Sequence, residues 1–457
     1  MAMPDEIANQ ALALLRAATA GTEYEGRLYL VGGALRDRYL QVSHGADLDL
    51  VLEGSAVELA RMLYQKGLSS HYPVLYPRFG TAMIHIPIGL SGVDVELVTA
   101  RSESYHPNSR KPDVRPGTLR EDIFRRDFTI NTLAENLHTC ELLDITGKAF
   151  QDLDAGIIRT PVEPQITFFD DPLRMLRAVR IAARFRFCIE TATWDAIKAE
   201  SGRLRPPTIA LERIREEFIK IVMLPGRQFR VGMELLSDSL LLAEFLPEMM
   251  PAHPPESHTL PEGDGQASWR RTMRALEDLP DDAPQAVRLA LLWHDIEANQ
   301  PAPSADITRT VMSRLKFAND EILPVVELVK NQARLTEYHP NWNDPAVKRL
   351  IRDTFPVLDP LFTLTECVLS VTEGGEPKRQ DLSALRARIG SLMSAASVES
   401  PLDGNEIMEI LGLGPGSHLK EAKDYLLNAV IDGRLEHDDR AAAEKMLVEW
   451  WQGGERK

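Results

Sequence analysis

Short apolar runs separated by polar turns fill the first 145 residues, and a helical period takes over after them. Leu28-Tyr-Leu-Val31 reads as a buried strand, and Asp47-Leu-Asp-Leu-Val51 as a second. Further strands are expected around Val74-Leu75, over Thr81-Ala-Met-Ile-His-Ile86 and over Val93-Asp-Val-Glu-Leu-Val98. Residues 1 to about 25 carry an amphipathic leading helix, and 55–65 another. Residues 102–121 are Pro-rich and polar, which predicts an irregular loop. Helical spacing then marks 170–180, 208–218, 232–242, 269–279, 286–292, 307–316 and 321–335, with a Pro/Gly-rich linker over 251–267. Near the end, a helix, the turn Gly412-Leu-Gly-Pro-Gly416 and a long helix form a helix-turn-helix-like unit. The pattern predicts an α+β fold, with a small mixed sheet in an N-terminal head and helices throughout the remainder.

Polar residues break this pattern where chemistry is expected. Gly32-Gly33 ends the first strand and lets the backbone turn sharply towards a ligand. Arg36 and Asp37 follow at a helix start, where free N–H groups favour a phosphate. Asp47 and Asp49 lie two apart on one strand and point to the same face. Two such carboxylates repel unless a cation sits between them, and Mg2+ is the natural one beside nucleotide phosphates. Asp94 and Glu96 repeat the spacing on a later strand, and one of them is expected to be a third carboxylate. In Arg125-Arg-Asp-Phe-Thr-Ile-Asn131, Arg125 and Arg126 can clamp phosphates, Asp127 can orient an arginine or the sugar, and Asn131 can hydrogen-bond ribose or backbone. Asp171, Arg174, Arg177 and Arg180 recur every three residues and drift slowly around one helix face.

Gly-Gly-x-x-Arg-Asp followed by Asp-x-Asp resembles the first signature of the polymerase-β-like nucleotidyltransferases. Within them the chain looks like the class II tRNA nucleotidyltransferase and bacterial poly(A) polymerase family. The string Arg125 to Asn131 looks like that family's second motif residue for residue. In relatives the third carboxylate stands five residues before an arginine, and Arg101 then selects Glu96. The resemblance implies that Asp47 and Asp49 hold two Mg2+ ions with Glu96 helping. It implies that Gly32, Gly33, Arg36, Asp37, Arg125, Arg126, Asp127, Asn131, Arg177 and Arg180 serve the nucleotide. Asp171 and Arg174 would read the base, because cytosine and adenine both present an amino group beside a ring acceptor, and uracil and guanine do not. The implied activity adds or repairs the 3′-terminal CCA of tRNA from CTP and ATP without a nucleic-acid template, releasing pyrophosphate.

The resemblance also divides the chain. Residues 1–150 are expected as the catalytic head and 151–220 as a neck of base-selecting and RNA-binding helices. Residues 221–335 would form a helical body and 336–457 a tail on the tRNA elbow. Glu212-Arg-Ile214 resembles a segment of the family neck. His294-Asp295 suggests an HD phosphohydrolase, but Arg271-Thr272, Glu297-Ala298 and Asn331-Gln332 stand where further ligands or motif residues are expected. The body is therefore read as a degenerate, structural HD-like domain. A partial enzyme adding only CC or only A shares every motif. A poly(A) polymerase is disfavoured because this tail is acidic.

Composition adds two constraints. The formal charge is −16, yet residues 159–230 carry 14 Lys and Arg against 9 Asp and Glu. A basic middle on an acidic chain suits RNA bound along one surface. Apolar runs stay short of the roughly 20 residues that span a bilayer, so no membrane partner is expected. The three cysteines are far apart, fit no metal-ligand spacing, and read as buried thiols of a cytoplasmic protein.

Overall fold

The computed structural model describes residues 4–42, 48–104, 113–250, 264–296, 303–355, 357–393, 400–416 and 418–452. Asp47, the middle of the 102–121 segment, most of the 251–267 linker and Glu297-Ala298 lie outside the described residues. The chain divides into two compact units, 1–221 with 231–247, and 222–230 with 248–457.

Among the described residues, nine strands carry the first unit's head: β1 (Leu28–Val31), β2 (Leu48–Leu52), β3 (Val74–Tyr76), β4 (Thr81–Ile88), β5 (Ser91–Thr99), β6 (Arg101–Ser104), β7 (Asp113–Pro116), β8 (Leu133–Asn136) and β9 (Leu142–Asp144). Seven of them form one mixed sheet in the order β3-β4-β5-β2-β1-β8-β9. β2 and β5 run parallel and the other neighbours antiparallel. The sheet is covered fully on one face and, over β1, β2 and β8, partly on the other, where Val31, Val51 and Ala134 pack with Leu119 and Ile123. Leu50, Ile84, Ile86, Val95 and Leu97 are buried on the fully covered face, beneath Leu15 of the helix Pro4–Thr19 and Leu59 and Leu63 of the helix Ala56–Gln65. Each such fully buried side chain contributes about 1.5–3 kcal/mol. Alternation along the strands sends Asp49, Glu96 and Val98 to the opposite face.

The segment 102–121 departs from the expected irregular loop. β6 and β7 pair antiparallel, and the helix Leu119–Phe124 follows. Its start is fixed by a reciprocal cap between Thr118 and Glu121, and Glu53 Oε1 accepts from Leu119 N at 2.7 Å. Backbone pairing overrides the loop-like composition; Pro116 lies on an edge strand of a two-stranded ribbon, where proline is tolerated.

Beyond the sheet, the helices Pro164–Asp170 and Leu173–Phe185 meet at Asp171, whose backbone is extended. The helix Leu211–Val222 and the helix Gly226–Asp238 follow.

The second unit is helical among its described residues. Arg288, fully buried in the helix Gln285–Trp293, donates to the carbonyls of Ala283, Val222, Leu224, Pro280 and Asp281. One side chain thus gathers the carbonyls of five residues, those of Val222 and Leu224 from a distant part of the sequence. The expected C-terminal helix-turn-helix is present as Gly404–Leu411 and His418–Ile431, with Gly412 left-handed at the turn. It packs on Arg440–Gln452 around Leu402, Ile407, Leu426 and Leu447.

Cysteine placement corrects one expectation. Cys140 and Cys188 are exposed and only Cys367 is buried; all three are free thiols. No helix of the described residues is long and apolar enough to cross a membrane.

Candidate active site

The more open face of the sheet forms the floor of a cavity of about 340 Å3. Asp49 and Glu96 stand side by side on it, opposite each other in the β2–β5 register. Burial first, and then the charge of Asp49, push the Glu96 carboxyl above its usual range, and Arg101 pulls the other way. Asp94 is turned to His85, with Oδ1 and Nδ1 2.7 Å apart, and does not line the cavity. The structure therefore brings Glu96, not Asp94, beside Asp49. Among the described residues no three His, Cys, Asp or Glu side chains come together as a metal cluster, and Asp47 lies outside that set.

Gly32 ends β1 at a φ of 81°, a conformation that favours glycine. A Cβ there would lie 3.3 Å from Asp49 Oδ2 and 3.6 Å from an Arg126 terminal nitrogen. The turn thus approaches the carboxylate and the arginine closely because it has no side chain.

Arg125 and Arg126 line the cavity wall. Both lean on the buried Asp122, which accepts from Arg125 Nε at 3.2 Å and from Arg126 at 3.1 Å. The buried Nε of Arg126 has no hydrogen-bond partner among the described residues. Asp122 was not among the expected site residues, although its i, i+3 and i+4 spacing to the two arginines is visible in the sequence.

Asp127 is the hub of the site. It accepts from Asn131 Nδ2 at 2.9 Å, from Phe128 N at 2.9 Å, and from Arg177 at 2.8 and 2.6 Å. Burial alone would raise its carboxyl, but Arg177 and Asn131 outweigh it and hold the group well below the usual carboxylate range. Asn131 passes the network on to Arg36 at 2.7 Å, and Arg36 grips Asp37 at 2.6 Å. Asp37 also takes Arg184 at 3.1 Å. Arg36 and Asp37 are buried, and neither they nor Gly33, Asn131 and Arg180 line the cavity. Arg180 is bound instead to the buried Glu217, 2.8 Å away.

Asp171 and Arg174 line the far wall. Asp171 caps its helix by accepting from Leu173 N at 3.1 Å, and its other oxygen holds Arg213 at 3.0 Å. Arg174 donates to the carbonyl of Arg125 at 2.7 Å, which ties the two walls together. Arg213, from the helix Leu211–Val222, lines the cavity as well. Its tripeptide resembles a segment of the family neck, and nothing local in the sequence places Arg213 in the site.

Among the described residues, six arginines and five carboxylates therefore face one space, with paired acids on its floor. Residues 28–159 match the model of a poly A polymerase head domain, and 186–252 match that of the probable RNA- and SrmB-binding site of polymerase A. The tRNA nucleotidyltransferase cca2 of Schizosaccharomyces pombe is 28% identical over 441 residues, covering 87% of this chain and 88% of the relative. The CCA-adding enzyme of Lactobacillus helveticus is 28% identical over 423 residues, covering 92% of each. Along most of its length the chain is thus similar to tRNA nucleotidyltransferases, and its N-terminal part to the poly A polymerase head. The fold agrees. The Bacillus stearothermophilus CCA-adding enzyme, solved in complex with CTP, superposes with a TM-score of 0.69 over 99% of both chains at 22% identity.

The chain is thus a nucleotidyltransferase, and dependence on a divalent metal is general to such enzymes. The cavity lining fits such an ion. It offers carboxylate oxygens without sulfur or imidazole among the described residues, and a cation would relieve the repulsion between Asp49 and Glu96.

The HD-like pair is placed differently. Asp295 is bound to Arg271 at 2.7 Å, and His294 is turned to the carbonyl of Leu291 at 2.8 Å. The arginine that stands where a histidine was expected neutralises the aspartate beside it.

Proposed function

We propose that this chain extends the 3′ end of tRNA with CCA, using CTP and ATP and no nucleic-acid template. The observation that supports it is the convergence, in one cavity, of paired carboxylates on the floor with an Asp–Arg pair on the opposite wall. Asp49 and Glu96, with Asp47, would hold Mg2+, which supplies charge neutralisation at the phosphates and a more acidic 3′-hydroxyl. The RNA 3′-oxygen bonds to the α-phosphorus, the bond to the bridging oxygen breaks, pyrophosphate leaves, and the hydroxyl proton passes to water.

Each wall has a separate task. Arg125, Arg126 and Arg177 hold the triphosphate, and the close turn at Gly32-Gly33 admits it to Asp49. Asp171 accepts from the exocyclic amine of cytosine or adenine, and Arg174 donates to the neighbouring ring nitrogen. Arg36, Asp37, Asn131 and Arg180 act behind this surface. They are bound to protein partners and fix the helices that carry Arg177 and Asp127. The helices that follow, and the helical tail, take the tRNA acceptor end and elbow. Free thiols suit a reducing compartment, and we place the protein in the cytoplasm.

The test is extension of a tRNA lacking its CCA end, with CTP and ATP, and sizing of the product. Growth by three nucleotides is the expected result. Growth by two or by one would identify a partial enzyme, a long homopolymer a poly(A) polymerase, and no growth would end the reading.

A further inference from the structure

The sheet order sets the parts of the site in a row. The Gly32-Gly33 turn follows β1, Asp49 is on β2, Glu96 is on β5, and β4 and β3 lie beyond. An in-line displacement puts the attacking oxygen and the leaving pyrophosphate on opposite sides of the α-phosphorus. With the triphosphate at the β1 turn, the attacking strand must arrive over β5, β4 and β3.

That side of the sheet is unlike the rest. Met83 pairs with Glu96 across β4–β5, Val74 with Met83 and Tyr76 with Thr81 across β3–β4. Directly opposed residues share a face. Val74, Tyr76 and Met83 therefore continue the face that carries Glu96 and Asp49. They are 52%, 49% and 42% exposed, in a sheet whose other face is buried. Thr81, which lines the cavity, joins them to it. Phe79, 54% exposed, and the exposed Arg78 flank the same strand edge.

We propose that Val74, Tyr76 and Met83 form a shelf on which the 3′-terminal base of the acceptor RNA lies. The proposal rests on the reading that the acceptor is RNA. An aromatic ring with apolar neighbours takes the face of any base, which suits an end that changes identity after every addition. Continuity with Glu96 sets the distance: one residue pair separates shelf from carboxylate. Arg78 supplies the positive charge that a backbone phosphate needs at the rim.

The experiment uses the full chain and a short, 5′-fluorescein-labelled single-stranded RNA, read by anisotropy. Combining Tyr76→Ala with Met83→Ala is expected to weaken RNA binding about tenfold or more, given the usual contribution of one stacked base. In tRNA extension the same variant should raise KM for tRNA and leave KM for CTP unchanged. Tyr76→Phe should bind RNA as the parent does. Tyr72→Ala removes an exposed ring that packs edge-on against Tyr64, and should have no effect. Unchanged RNA affinity in the double variant, or an equal loss in Tyr72→Ala, overturns the shelf. So does a dimer of the parent that the double variant breaks into monomers without losing RNA, because the shelf is then an interface between copies. If the parent binds RNA through the shelf but extends no tRNA, the CCA reading falls and the shelf stands. If it extends tRNA and the variant binds RNA normally, the reverse holds.

Discussion

Arg177 grips Asp127 through two nitrogens, at 2.8 and 2.6 Å, and so joins the helix Leu173–Phe185 to the Arg125–Asn131 segment. The pair is the first link of a chain that runs through Asn131 and Arg36 to Asp37 and Arg184. Removing Asp127 would leave Arg177 and Asn131 without their shared acceptor. Asp127→Ala is expected to cost about 2–3 kcal/mol in urea unfolding, below the figure for a fully buried pair. The discount applies because 37% of the Arg177 side chain stays in water. Because the Asp127 carboxyl sits below its ordinary range, its stabilisation is present above that range and is lost as pH falls through the folded value. The variant should therefore show a smaller loss of Tm on acidification than the parent.

Glu96 gives the opposite sign. Its carboxyl is raised by burial and by Asp49, so the folded protein binds its proton more tightly than the unfolded chain does. That contribution is present at low pH and is lost as pH rises through the raised value. In the metal-free protein, Glu96→Gln should therefore melt at or above the parent's temperature at neutral pH, and the difference should vanish in acid. The same change should lower nucleotide transfer by at least about a hundredfold. A thermal shift on adding Mg2+ should be present in the parent and reduced in the variant. A metal-free melt far below the parent's would count against the assignment.

Asp171 is set by Arg213, and base choice should report this. Asp171→Ala or Arg174→Ala should reduce the kcat/KM preference for CTP over UTP by about a hundredfold, as expected when a base-reading hydrogen bond is lost. Arg213→Ala should reduce the preference less, and Arg213→Lys should restore part of it. An Arg213→Ala enzyme that discriminates like the parent would show that Asp171 needs no such support.

The Arg271–Asp295 pair predicts a silent HD-like site. Arg271 is about half exposed, so Arg271→Ala should change stability by no more than about 1 kcal/mol. The parent should release no phosphate from cyclic nucleotides with Mg2+ or Mn2+. Metal-dependent release would show that the unit keeps a hydrolase.

The strands, the glycine turn and the two short strings around Asp49 and Arg125 were legible because local spacing specifies them. Period-two alternation turns Asp49 and Glu96 away from the apolar positions of their own strands, but that the two strands pair in register is a property of the fold. Selecting Glu96 over Asp94 needed the family spacing to Arg101, and the fold adds that Asp94 is taken by His85. Arg213 was missed because its partner lies 42 residues away and only packing joins them. Arg36 was expected at the phosphates from its place at a helix start. Its burial against Phe185, 4.7 Å from guanidinium to ring centre, depends on a helix that the local string does not encode. The β6–β7 ribbon was hidden by proline-rich composition, since pairing between strands is a non-local property.

The near-balance of arginines against carboxylates, six to five among the described residues of the cavity, has a consequence for how the enzyme is loaded. A bare triphosphate brings several negative charges towards Asp49 and Glu96 and is repelled by the same floor on which it must react. Accompanied by its counter-ions, it arrives almost electrically neutral and meets no such barrier. Nucleotide and cation should therefore each tighten the other's binding, and chelation should empty the cavity of both at once.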